Sequence, residues 1–66
     1  MQAIKNFSFI EEHISDLVSA LVFVSHSKII YETESEAIAS RCASLLKDLS
    51  TTVFSRNGRH FISIDL

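Results

Sequence analysis

Residues 33–49 (TESEAIASRCASLLKDL) limit the choice of fold most, because they carry a helical period and β-rich runs lie on both sides of them. Thr33 and Glu36 stand three apart, as in a capping box, where hydroxyl and carboxylate each serve an amide left unpaired at a helix start. Ile38, Cys42, Leu45, Leu46 and Leu49 recur at helical spacing on one face, and Arg41, Lys47 and Asp48 fall mostly off it. Glu34 and Glu36 suit the positive end of the helix dipole. The spacing predicts a helix over 33–49, and a chain with such a helix between β-rich runs has a mixed fold.

After this helix, Thr51-Thr52-Val53-Phe54-Ser55-Arg56 and Arg59-His60-Phe61-Ile62-Ser63-Ile64 flank Asn57-Gly58. Asn-Gly between β-rich runs signals a two-residue hairpin loop, since both turn residues need positive φ. That loop pairs Phe54 with Phe61 and Val53 with Ile62. In the first half, residues 1–7 read as a lead, and Ser8 with Glu11 forms a second capping box. Ile10, Ile14, Leu17, Val18 and Leu21 make a stripe, so a first helix is predicted over about 9–20.

Val22, Phe23 and Val24 are apolar on both alternating faces, which reads as a buried central strand. Lys28-Ile29-Ile30-Tyr31-Glu32 is strand-like, and a hairpin turning at His26-Ser27 sets Val22 opposite Tyr31 and Val24 opposite Ile29. The rival reading carries the first helix on to Ser25, because Leu17, Leu21 and Val24 keep helical spacing. The expected fold is α+β in αββαββ order, two helices on one face of a four-stranded antiparallel sheet, with two similar halves.

Sixty-six residues make one domain. A chain this short buries only about 60% of the surface it exposes when unfolded, and needs outside support. One cysteine excludes an internal disulfide, so a protein partner is the support that a 47% hydrophobic chain suggests. The net charge of −2 gives no general attraction to nucleic acid or anionic lipid. The uncharged window between Asp16 and Lys28 is shorter than the roughly 20 residues a bilayer span requires. Residues 1–6 do not resemble a secretory signal, and Gln2 does not suit myristoylation. The expectation is a cytoplasmic protein without direct membrane insertion, recruited to a membrane surface only by partners.

No residue pattern points to catalysis or to a cofactor. Cys42 lies on the apolar stripe and reads as an inert core thiol. His13, His26 and His60 lack the close spacing of zinc ligands. Glu11, Glu12 and Asp16 are read as helix-start carboxylates rather than acid–base groups. No serine sits in a G-x-S-x-G pattern, and the single glycine, Gly58, belongs to a turn. An enzyme, a metal site and a cofactor are therefore not expected. His26, Lys28, Arg56, Arg59 and His60 all belong to hairpin tips, and adjacent hairpins would gather them into a small basic end. Arg56 and Arg59, facing each other with like charge, would welcome an anion or an acidic partner.

The element order resembles the roadblock family, the small domains of dynein light chains and the Ragulator scaffold. The resemblance rests on residues 17–32 (LVSALVFVSHSKIIYE), where a helix end runs into a hairpin, then on the long helix over 33–49 and the hairpin over 51–64. Family members usually have an additional C-terminal strand, and the first turn here lacks Asp-Gly or Asn-Gly. The resemblance implies no catalysis, and pairing through the second helix and the strand after it, on a platform for small GTPases or motors. Carried over by position, it puts Ile38, Arg41, Cys42, Leu45, Thr52, Phe54 and Arg56 at or near the pairing surface.

Two function classes follow. One is a non-catalytic subunit, paired as homodimer or heterodimer within a larger scaffold complex. The other is a small regulator of phage or bacterial type that binds one macromolecular target through the basic tips. Nucleic-acid binding is disfavoured by the acidic composition.

Overall fold

A computed structural model describes residues 2–66, with only the backbone described for residues 2–6. Met1, the first residue of the expected lead, lies outside the described residues. The elements are α1 (Gln2–Ile14), β1 (Ala20–Val24), β2 (Lys28–Thr33), α2 (Glu36–Leu45), β3 (Ser50–Arg56) and β4 (Arg59–Asp65). The fold is α+β, with two helices against one face of a four-stranded antiparallel sheet of order β1-β2-β4-β3.

The strand order follows from the connections. β2 and β3 are both antiparallel to β4, so they run the same way. Parallel strands need a long crossover, here α2, and β4 fills the slot between them. The two αββ halves thus meet through their second strands, and the first strand of each hairpin becomes an edge. The sequence reading of β1 as a buried central strand is therefore wrong; β2 and β4 hold the centre.

Ile10 and Ile14 of α1, Ala39 and Cys42 of α2, and Leu46 just beyond it meet Ile29, Tyr31, Ile62 and Ile64 of the two central strands. All of these are at least 95% buried. α2 lies across β2, β3 and β4, and α1 lies against α2.

Both helices differ from their predicted limits. α1 already spans Ser8, so the predicted box with Glu11 does not form, and Phe7, Ile10 and Ile14 make its inner stripe. It stops at Ile14, whose carbonyl accepts the amides of Leu17 (2.9 Å) and Val18 (3.2 Å). Ser19 then donates to the Glu32 carbonyl at 2.7 Å, and the chain joins the sheet, which excludes the rival reading of a helix through Ser25. Glu11 and Glu12 accordingly sit in the last turn of α1, not its first, where the dipole disfavours carboxylates.

α2 begins after Ser35, whose hydroxyl accepts the Ile38 amide at 3.2 Å. Thr33 is unavailable as a cap because it pairs with His60 in the sheet, and its hydroxyl donates to the Ser35 carbonyl at 2.8 Å. The helix closes at Leu45 rather than Leu49, and a turn over 46–49 leads into β3.

The second hairpin has the predicted register, with Phe54 opposite Phe61 and Val53 opposite Ile62. Asn57 (φ 55°) and Gly58 (φ 78°) supply the two left-handed residues of its loop. The first hairpin turns at His26-Ser27, as expected, and does so with negative φ. Ser25 stabilises this turn, its hydroxyl accepting the amides of Ser27 (3.2 Å) and Lys28 (3.1 Å). Val24 does face Ile29, but a bulge at Val22 sets Leu21, not Val22, opposite Tyr31.

Candidate interaction surface

The sheet presents two different edges. On β3, Thr51 and Val53 lean toward α2 and are half-buried; Phe54 is exposed on the other face, and Ser50, Thr52, Ser55 and Arg56 give the remainder a polar, charged surface. Such residues protect an edge from pairing with other chains. On β1 the sequence is Ala-Leu-Val-Phe-Val, and every residue is exposed. Leu21 is 46% exposed, Val22 43%, Phe23 48% and Val24 56%. α2 lies over β3, whereas α1 lies beside α2 and every residue of β1 is left exposed.

The face turned away from the helices extends this apolar surface. Cα partners across a ladder share a face, so Phe23 stands beside Ile30, and Glu32, Phe61 and Phe54 form the next row. Phe54 and Phe61 stack with ring centroids 5.1 Å apart. Arg59 lies over the Phe61 ring, 5.8 Å from its centroid, and grips Glu32 with two bonds, Nε to Oε2 at 2.9 Å and Nη2 to Oε1 at 2.5 Å. The Arg59 hydrogen bond holds the Glu32 carboxyl below its ordinary range and raises the Arg59 guanidinium.

This ion pair changes the reading of the like-charged Arg56 and Arg59. They are cross-strand neighbours, as a two-residue loop requires. The carboxylate that answers Arg59 is the chain's own Glu32, supplied by β2, and not a partner's anion.

The five basic tip residues are not one site. Lys28 pairs with Asp65 at one end of the β2–β4 ladder, and His60 pairs with Thr33 at the other. His26 and Lys28 therefore lie at the opposite end of the sheet from Arg56, Arg59 and His60. His60 is held across its own hairpin by Ser55, Oγ to Nδ1 at 2.8 Å.

The surface implied by the roadblock resemblance is divided as well. Cys42 is fully buried in the core, where burial pushes its thiol up, so it cannot line an interface. Ile38 is half-buried against the same core. Arg41 and Leu45 are exposed on the helix layer. Thr52, Phe54 and Arg56 are exposed on the other side of the sheet, because they alternate with the inward Thr51 and Val53. Only the β3 edge links the two groups.

β1 is the component that sequence reasoning missed. Its run of apolar residues was legible, but exposure was not, because burial depends on which strand α2 skips over. Among the described residues, no group of three or more His, Cys, Asp or Glu is placed to hold a metal ion, and no helix is long and apolar enough to cross a membrane. Compared with known proteins, the chain matches no family model, no curated protein and no solved structure.

Proposed function

We propose that this chain is a non-catalytic protein-interaction subunit that works by pairing, with β1 and the adjoining Phe23–Ile30 surface as its contact. The observation that carries this reading is an edge strand of five consecutive apolar residues, each exposed. An edge strand offers outward amides and carbonyls to an incoming strand, and apolar side chains on both of its faces reward that contact. Native proteins ordinarily blunt an edge with charge, proline, a covering helix or a bulge, and among the described residues β1 has only the bulge at Val22. A partner strand supplies the cover. Such a subunit fits a larger scaffold assembly, in line with the expectation from the roadblock resemblance, but it uses β1 rather than the α2–β3 surface.

A tagged pull-down from the native source tests this reading, with the wild-type chain compared with Val22→Lys. The wild type should recover a stoichiometric protein partner, and Val22→Lys should lose it while keeping its circular-dichroism spectrum. Equal recovery by both chains removes β1 as the working surface.

A further inference from the structure

We infer that the occupant of β1 is a second copy of this chain, paired antiparallel about a two-fold axis through Phe23. This inference rests on the reading of β1 as the contact and names the partner. Three features of the strand select it.

The first is charge along the strand. Residues 17–27 contain no Asp, Glu, Lys or Arg, so two copies of β1 meet without like charges facing each other. The flanks differ in sign. The α1–β1 turn carries exposed Asp16, and the hairpin at the other end carries exposed His26 and Lys28, Lys28 also facing Asp65 within its own sheet. An antiparallel pair brings the Asp16 turn of each copy toward the basic tip of the other, twice. A parallel pair sets like ends together.

The second feature is the match of faces. Val24 shares the helix-side face with Ile29, and Phe23 shares the open face with Ile30. Val22, two residues from Val24, also points to the helix side. With Phe23 on the axis, Phe23 meets Phe23 on the open face, and Val24 meets Val22 on the helix side. The opposed pairs of the 22–24 segment are then apolar and each on one face, and Leu21 falls opposite Ser25, beyond the end of β1. A register centred on Val22 fails this test, because the bulge between Leu21 and Phe23 leaves those two residues on opposite faces.

The third feature is closure. A two-fold contact is isologous and consumes both β1 edges, which leaves the β3 strands, polar apart from Val53 and Phe54, as the outer edges of one eight-stranded sheet. The pairing stops at two copies.

Sedimentation of the wild type, Phe23→Lys, Phe23→Glu and an equimolar mixture of the two variants tests the inference. The wild type should sediment at twice the chain mass. Each charged variant alone should fall to the single-chain mass, since the axis sets like charges face to face. The mixture should return to twice the mass, because Lys then opposes Glu. A wild type that stays single at its highest soluble concentration overturns self-pairing; if Val22→Lys still abolishes partner capture, the interaction reading survives with a different partner. A dimer that persists in both variants moves the interface away from β1, and a mixture that stays single overturns the Phe23 register. If the variants fail to fold, amide exchange on the wild type decides. β1 amides should be protected at high concentration and lose protection on dilution, and concentration-independent exchange overturns the inference.

Discussion

Tyr31 lies in the core at 5% exposure, and its hydroxyl has no hydrogen-bond partner among the described residues. Burial, and secondarily the Glu11 carboxylate, push its phenol above the ordinary value of 10.0. An unpaired buried hydroxyl costs about 1–3 kcal/mol, so removing it while keeping the ring should help. Tyr31→Phe is expected to raise stability by about 1 kcal/mol, seen as a rise of several degrees in Tm. A fall in Tm would show that the hydroxyl makes a stabilising bond. The pH behaviour has a definite sign. The unfolded chain releases the Tyr31 proton near 10.0 while the folded chain retains it, so stability falls as pH rises from there through the folded value. Tyr31→Phe should lessen that alkaline loss. Cys42 is a core residue in the same sense, a small buried hydrophobe whose thiol is raised by its surroundings.

At the scale of elements, the start of α2 shows how local chemistry and sheet pairing compete. Thr33 and Glu36 have the spacing of a capping box, but Thr33 is the last residue of β2 and is buried. Ser35 caps instead, and Ser35→Ala should cost about 1 kcal/mol in chemical denaturation. An unchanged midpoint would mean that the cap contributes nothing. The ion pair of Glu32 with Arg59 ties β2 to the start of β4, and it gives the sheet an acid dependence. Because Glu32 is held below its ordinary 4.5, its contribution is present above that value and is lost as pH falls through the folded one. Glu32→Gln should lower stability at neutral pH and flatten the acid side of the stability profile. An unaltered profile would assign the acid loss to other carboxylates.

At the scale of the whole molecule, the two halves share a connectivity but differ in cover. α2 lies over the first strand of its own half, and α1 does not. The bare strand is also the one without a charged residue, so the isolated chain carries an edge open to uncontrolled pairing. Val22→Lys places a charge in the middle of that edge, where the native side chain is 43% exposed. The variant should keep its fold and stay clear on heating at concentrations where the wild type turns turbid. Equal turbidity would place the association-prone surface elsewhere.

Element type, order and the second hairpin were determined by the sequence alone, because they depend on neighbours within a few residues. Asn57-Gly58 can take positive φ, and that local fact sets the register of Phe54 on Phe61. The cap of α2 was less legible, since Thr33 and Ser35 are both capable caps and only the β2–β4 ladder removes Thr33 from the choice. The place of the Val22–Val24 run depended on tertiary structure entirely. Apolar residues on both faces suit a central strand and a strand covered by another chain equally well. The choice was made when α2 carried the chain past one strand position and β4 filled it, which left β1 outermost and exposed.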